Sequence, residues 1–218
     1  MNNEIIHKIN QSLVEGQLDN IEELVQSALD LNIEPLVIIN QGLMPAMQIV
    51  GKRFQDGEYF LPHVMIAAEV MKKAMKLLDP LLLKNDQAIH SGTVVIGTVR
   101  GDIHEIGKNL VATMLSANGF KVVDLGVNVA IDEFIQKAEE VKADVIGLSA
   151  LLTTTMTVQR DCIEALRQKG LRNKIKVLVG GAPVSAGWAR SIGADGYAED
   201  AMTAVRLVRS LLEIDTSP

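Results

Sequence analysis

The sequence predicts an α/β fold, in which a bundle of helices is followed by a doubly wound parallel sheet of five strands. Two patterns along the 218 residues predict it. In residues 1–78, apolar residues recur at spacings of three and four, which is the period of an amphipathic helix. From Thr93 onward, short apolar runs alternate with helical stretches, which is typical of parallel strands buried on both faces.

Proline and acidic residues mark the helix boundaries of the first half. Asp19 can cap a second helix, and Pro35 fits the first turn of a third. Pro45 indicates a break or kink, and Pro62 opens the last helix. We therefore expect four or five antiparallel helices in a domain of residues 1–80. Pro80 and the polar stretch after it predict a linker over residues 81–91.

The second half, residues 92–218, is expected to form the sheet domain. The predicted strands are 93–99, 121–124, 144–149, 175–179 and 196–198, and the predicted helices are 105–118, 131–141, 158–169, 184–191 and 201–212. This alternation predicts a Rossmann- or flavodoxin-like sheet. Ligands of such sheets bind at the carboxyl ends of the strands, so the functional residues are expected in the loops there.

Composition excludes several classes of function. The net charge of −6 argues against a nucleic-acid or anionic-membrane surface, which needs a clustered positive field. The single cysteine, Cys162, rules out an internal disulfide, and we interpret it as a buried, unreactive thiol.

The N-terminus lacks the pattern of a signal peptide, and no apolar run approaches the ~20 residues of a membrane span, so we expect a cytoplasmic protein.

Three loops at predicted strand ends carry the polar residues of interest. They span residues 97–109, 147–155 and 179–183, and they supply an imidazole, a carboxylate, several hydroxyls and a pair of glycines. None of them matches a phosphate-binding loop of the GxxxxGK[ST] or GxGxxG type. The pair Gly180-Gly181 indicates by itself only a tight turn.

His104 differs from the other histidines because Asp102 lies two residues away on the same loop. A carboxylate bound to one ring nitrogen fixes the tautomer and leaves the other nitrogen free to bind a metal. One histidine cannot form a structural zinc site, which needs about four protein ligands. A single axial imidazole suits a metal whose other ligands come from a macrocycle.

Three motifs in order resemble the cobalamin-binding domain. They are DxHxxG (Asp102, His104, Gly107), SxL (Ser149, Leu151) and GG (Gly180, Gly181). In the first half, Phe54 and the segment 59–65 resemble the helical cap of methionine synthase. The chain as a whole resembles the corrinoid proteins that serve methanol, methylamine and betaine methyltransferases.

The resemblance implies a cobalamin bound with its nucleotide tail displaced and His104 as the axial ligand to cobalt. Asp102 would support His104, with a hydroxyl from Thr155 completing the relay. Ser149 and Leu151 would line the slot for the tail, and Gly180 and Gly181 would let the tail pass close to the backbone. Further cofactor contacts are expected from Ile106, Gly107 and Thr153, and from the helical cap at Phe54, Leu61 and Met65.

The resemblance also implies a function. The chain would carry a methyl group on cobalt, alternating between methylcob(III)alamin and cob(I)alamin. A substrate-specific methyltransferase would load it and an acceptor methyltransferase, using tetrahydrofolate or a thiol, would unload it. A reductive activator would restore oxidised cobalt. No catalytic residue of its own is expected, and neither nucleic acid nor membrane is an expected partner.

Three alternatives stay open at this point. A cobalamin subunit of a radical mutase shares DxHxxG but uses an adenosyl group. A cobalamin-dependent sensor also pairs a helical bundle with this domain, normally with a DNA-binding module. A Rossmann-like domain without a corrinoid would make the pair of Asp102 and His104 incidental. No residue discriminates between methyl donors.

Overall fold

The computed structural model describes residues 2–83 and 91–214. The chain divides into a helical unit, residues 1–89 with Ser116–Gly119, and an α/β unit made of His90–Leu115 and Phe120–Pro218. Within the described residues, no helix combines the length and the apolar character that crossing a membrane requires.

The helical unit is built from amphipathic helices around an apolar interior. α1 packs against α2, α4 and α5, and its Ile9 and Leu13 are completely buried, as the spacing of three and four predicts. The helices are α1 (Asn2–Val14), α2 (Ile21–Asp30), α3 (Pro35–Val37), α4 (Met44–Gln55) and α5 (Leu61–Leu83), with a π-helical segment (Ile38–Leu43) between α3 and α4.

Two prolines of this unit behave differently from each other. The break expected at Pro45 takes the form of the π-helical segment, which ends directly before α4. Its wider turn suits a proline, which lacks an N–H and crowds the preceding turn. Pro80 does not end α5, so residues 81–83, expected in the linker, are helical instead. A proline removes only one helical hydrogen bond, and the rest of this helix of twenty-three residues outweighs that loss. The rest of the expected linker, 84–90, lies outside the described residues.

The described residues of the α/β unit form the predicted five-stranded parallel sheet, in the order β2-β1-β3-β4-β5. The strands are β1 (Thr93–Thr98), β2 (Lys121–Asp124), β3 (Val145–Ser149), β4 (Lys176–Gly180) and β5 (Gly196–Tyr197). The helices are α6 (Ile106–Ala117), α7 (Ile131–Glu140), α8 (Thr157–Gln168), α9 (Ala186–Ile192) and α10 (Ala201–Leu211).

The core of this unit lies between the sheet and its helices. Val95, Ile146 and Val177 are neighbours across β1, β3 and β4, and all three are completely buried. Gly97 allows α7 to pack closely, since a Cβ there would lie 2.8 Å from the ring of Phe134. Cys162 belongs to the same core, and burial raises the pKa of its thiol to about 12, so it is unreactive, as interpreted.

The strand order places a switch point between β1 and β3. The chain leaves β1 toward β2 on one side of the sheet order and then returns to β3 on the other. Loops at such a point diverge and leave a crevice at the carboxyl ends of the strands. The loops that follow β1 and β3 therefore border the predicted ligand site.

Candidate cofactor site at the strand ends

Local backbone contacts fix the loop that follows β1. Gly101 has a φ of 85°, and its N–H donates to Oδ1 of Asn128 at 2.8 Å. The N–H of Asn128 in turn donates to the carbonyl of Asp102 at 2.9 Å. Asn128 itself has a φ of 56°, which asparagine tolerates better than most residues. Sequence reasoning did not identify Asn128 as a support for this loop.

The Asp102 carboxylate is completely buried and fully hydrogen-bonded. Its Oδ1 lies 2.7 Å from Nδ1 of His104 and accepts the His104 N–H at 3.1 Å. Its Oδ2 accepts the Leu151 N–H at 2.7 Å and the Thr155 hydroxyl at 2.8 Å. The structure therefore brings together Asp102, His104 and Thr155 from two loops, together with a backbone donor.

These contacts determine the charge of Asp102. Burial raises the pKa of the Asp102 carboxyl, but the bonds from the Leu151 amide, from His104 and from Thr155 together outweigh it and hold the pKa well below its usual range. An ionised carboxylate can only accept hydrogen bonds. Nδ1 of His104 must therefore carry the proton, and Nε2 is the nitrogen that can bind a metal.

His104 combines a fixed backbone with an accessible ring. The Thr98 hydroxyl donates to its carbonyl at 2.8 Å, while its side chain is 49% exposed. Large apolar side chains at the start of α6 and in the loops after β1 and β3 are also exposed. A patch of exposed apolar side chains often marks a ligand surface. The exposed side chains are Ile103 at 74%, Ile106 at 87%, Leu151 at 39% and Leu152 at 43%. We call His104 with these four residues the apolar platform.

The loops after β3 and β4 meet at their backbones. Ser149 and Gly180 are paired in register, and both are half-buried, whereas Thr153 is exposed. Gly181 has a φ of 121°, and a Cβ there would lie 1.7 Å from the carbonyl oxygen of Ala150. The structure thus gives a reason for this glycine other than the passing tail, because the protein's own backbone already requires it.

Gly107, in contrast to Gly181, lies where the fold leaves room for a side chain. It lies exposed in the first turn of α6, and a Cβ there would have no atom within 4 Å. Its φ is not in the positive range either. Nothing within the described chain therefore requires glycine at this position, and the open space adjoins the platform residue Ile106.

The sequence also did not predict a buried lysine next to Gly107. Lys108 is 3% exposed, and its ammonium group bonds to the carboxylate of Asp124 and, at 2.6 Å, to Oδ1 of Asn109. Asp124 ends β2, so the pair ties the start of α6 to the sheet. The sequence held no signal for it, since the two residues are sixteen positions apart and each is common on surfaces.

The residues expected in the cap lie at the junction of α4 and α5 in the helical unit. Phe54 is half-buried, while Leu61 and Met65 are 42% and 54% exposed. Phe60 is 64% exposed and lies next to them in the chain, although it was not among the predicted site residues. Val64 is completely buried inside the helical unit.

Comparison with known proteins agrees with this geometry. Two family models, each described as a B12 binding domain, match residues 92–206 and residues 5–79. The chain is 46% identical to "Trimethylamine corrinoid protein 2" of Methanosarcina acetivorans, over 96% of this chain and 97% of the relative. It is 45% identical to "Dimethylamine corrinoid protein 2" of the same organism, over 96% of each chain.

A solved structure extends the comparison to a complex. The chain matches one chain of the methanol:cobalamin methyltransferase complex of Methanosarcina barkeri with a TM-score of 0.81 and 31% identity, over 98% of this chain and 81% of that one. These relatives do not favour a mutase subunit or a sensor. The buried relay behind His104, the apolar platform and the matches over both halves lead to one conclusion: the chain belongs to the family of B12-binding corrinoid proteins.

Proposed function

We propose that this chain carries a methyl group on the cobalt of a bound corrinoid, between a methyltransferase that loads it and another that unloads it. The observation that carries the proposal is the geometry of His104. Its Nδ1 is held 2.7 Å from the buried Asp102 carboxylate, and its side chain is 49% exposed on a loop that also exposes Ile103. A single imidazole held in this way would suit a metal whose other ligands come from a macrocycle.

The residues of the site fit a corrinoid in three respects. Nε2 of His104 would supply one metal ligand. The apolar platform would supply a surface for a flat macrocycle, with Ile103 in the loop after β1, Ile106 at the start of α6, and Leu151 and Leu152 in the loop after β3. The open space at Gly107 would supply room, since no atom of the described residues lies within 4 Å of a Cβ placed there. We further propose that Ser149, Thr153 and the Gly180–Gly181 turn contact the nucleotide tail.

When bound, the corrinoid would supply a cobalt that accepts and gives up a methyl group. The residues of the chain hold the imidazole of His104 in one tautomer and one orientation. The anionic Asp102 accepts the hydrogen bond from Nδ1–H, which leaves Nε2 available to a metal. The Leu151 N–H and the Thr155 hydroxyl hold the carboxylate in place.

The choice of methyl donor is proposed to lie with the partner rather than with this chain. Relatives named for trimethylamine and for dimethylamine are similarly close, at 46% and 45% identity, which supports a methylated amine as the donor class. The complex of the methanol:cobalamin methyltransferase supports a partner enzyme that contributes the substrate site. We propose that an acceptor methyltransferase, acting on a folate or a thiol, and a reductive activator complete the system.

A visible spectrum of the reconstituted protein tests this proposal. The protein is mixed with a cobalamin, desalted, and compared with His104→Gly and with His7→Ala, which changes an exposed histidine of α1. Wild type and His7→Ala should retain the cofactor with a histidine-ligated spectrum. His104→Gly should change that spectrum or lose the colour. A wild-type protein that retains no corrinoid would refute the proposal, and an unchanged spectrum in His104→Gly would refute the axial assignment.

A further inference from the structure

A buried amide side chain joins the ends of β3 and β4, and the mechanism above does not use it. Gln159, in the first turn of α8, is completely buried. Its Nε2 donates to the carbonyl of Leu148 at 3.0 Å and to that of Gly180 at 3.2 Å. These carbonyls lie at the ends of two neighbouring strands that pair in register, so one amide group bonds to both strand ends.

The same side chain also contacts α9. Its Oε1 accepts the indole N–H of Trp188 at 3.0 Å. Trp188 is anchored in addition by its backbone N–H, which donates to Ser185, the residue that caps α9. Because α9 directly follows the turn that begins at Gly180, Gln159 links both sides of this turn to β3.

The position of Gln159 is otherwise one for an apolar residue. Cys162, Ile163 and Leu166 of the same helix are completely buried and belong to the core. A buried amide is costly unless it is hydrogen-bonded, and the bonds of Gln159 go to the strand ends and to α9. The side chain therefore ties the two paired strand ends to α8 and α9, in addition to the backbone pairing of β3 with β4.

The backbones that follow β3 and β4 also approach each other closely. The Ala150 N–H donates to the Gly180 carbonyl at 3.1 Å, and Gly181 approaches Ala150 so closely that no Cβ fits. A shift of either strand end by a few tenths of an ångström would change this approach. The two hydrogen bonds from Gln159 add to the backbone pairing that holds these strand ends in place.

We propose that Gln159 is a positioning residue that sets the β3–β4 edge for the nucleotide tail and so determines the preference for corrinoids that carry one. This rests on the proposed function, in which Ser149, Gly180 and Gly181 contact the tail. The carbonyls held by Gln159 belong to Gly180 itself and to the neighbour of Ser149. His104 is held separately, by Asp102 and Thr98, so axial ligation depends less on Gln159.

The test compares two corrinoids on the full chain, namely cobalamin and cobinamide, which lacks the nucleotide tail. The variant is Gln159→Met, which keeps the length of the side chain and removes its hydrogen bonds. The Kd of cobalamin should rise about tenfold or more, the effect of losing a buried hydrogen bond, while that of cobinamide changes less than about threefold. Bound cobalamin should keep the histidine-ligated spectrum.

Two further variants make the result specific. Trp188→Phe removes the donor to Oε1 but leaves the bonds of Nε2 to the strand ends, so the Kd of cobalamin should stay within about threefold of wild type. Gln159→Asn keeps an amide on a shorter stem that cannot span both carbonyls, and it should reproduce the selective loss if Gln159→Met fails to fold.

Each remaining result overturns the inference. Equal losses for both corrinoids would make Gln159 a purely structural residue, and unchanged affinities would give it no role in binding. Binding of neither corrinoid by the wild type would refute the proposed function, and this inference with it. Emission from the single tryptophan, Trp188, checks independently that the contact with residue 159 has changed.

Discussion

At the scale of single residues, the site depends on how Asp102 is held. The carboxylate has no exposed surface, and it contacts the protein through both oxygens. Its negative charge is stabilised by donors from its own loop and from the loop after β3. A His104 paired with a mobile surface carboxylate would share this motif, but it would lack a fixed tautomer and a fixed ring orientation.

The lowered pKa of Asp102 predicts a pH dependence of stability. Above the usual carboxyl range, Asp102 is ionised in the folded and unfolded states, and its stabilising contribution is fully present. As the pH falls through about 4, the carboxyl of residue 102 binds a proton in the unfolded chain but not in the folded protein. The contribution of Asp102 to the free energy of unfolding is therefore lost. Urea unfolding of wild type should therefore show a steeper loss between pH 5 and pH 3 than Asp102→Asn, by at most about 1.4 kcal/mol per pH unit. Equal slopes would show that Asp102 is not held as an anion.

The Thr155 hydroxyl predicts a matched pair of variants. Thr155→Val keeps the shape but removes the donor to Oδ2 of Asp102, and should cost about 1–3 kcal/mol of unfolding free energy. Thr155→Ser keeps the hydroxyl and should cost less than Thr155→Val. The visible spectrum of the bound corrinoid should change in Thr155→Val and remain that of wild type in Thr155→Ser. Identical behaviour of the two variants would assign Thr155 to packing alone.

At the scale of elements, the loops after β1, β3 and β4 form the site because their strands are parallel neighbours in one sheet. β1 pairs with β3 and β3 with β4, so their carboxyl ends lie side by side. The motif residues are spread over about eighty positions of sequence, yet they occupy three adjacent loops. The glycines near these loops differ in what requires them, namely close packing of the backbone or space for a ligand, and substitutions can distinguish the two reasons.

Gly181 and Gly107 predict opposite effects of the same change. Gly181→Ala should destabilise the protein even without cofactor, because its Cβ would collide with the Ala150 carbonyl at a φ of 121°. Gly107→Ala should leave the melting temperature of the cofactor-free protein unchanged or raised, because the helix has space for the methyl group. Cobalamin binding should nevertheless weaken in Gly107→Ala. A stable Gly181→Ala, or full binding by Gly107→Ala, would contradict these assignments.

At the scale of the whole molecule, a helical unit and an α/β unit share one chain, and both match B12-binding family models. The helical unit exposes a group of large apolar side chains where α5 begins, at Phe60, Leu61 and Met65. Side chains of this kind are normally buried, so their exposure favours a contact with another surface. The expectation that they shield the methyl-bearing face of the cofactor stays a prediction.

That prediction is tested by the lifetime of reduced cobalt. In the reconstituted and reduced protein, Leu61→Ser combined with Met65→Ser should shorten the lifetime of the reduced corrinoid in air, because an apolar cover excludes water and oxidants. Leu31→Ser is the matched control, since Leu31 is also exposed in the helical unit, at 40%. The decay is followed by visible absorbance. An unchanged lifetime in the double variant would show that Leu61 and Met65 do not shield the cofactor.

The sequence by itself determined the fold class, the strands and helices to within a few residues, and the loops that carry Asp102, His104 and the glycines. It did so because the period of apolar residues and the strand-end motifs are local properties of the chain. It misplaced the end of α5, since a proline signal was outweighed by the rest of a long helix.

Only the tertiary structure decided what holds these residues. The donor from Leu151 reaches Asp102 across forty-nine positions, Lys108 meets Asp124 across sixteen, and Gln159 spans two strands. Thr155 was expected from a resemblance, whereas Asn128 and Gln159 were not expected at all. The physical reason is that such contacts follow from the register of the sheet and from the packing of helices on it, which no local pattern records.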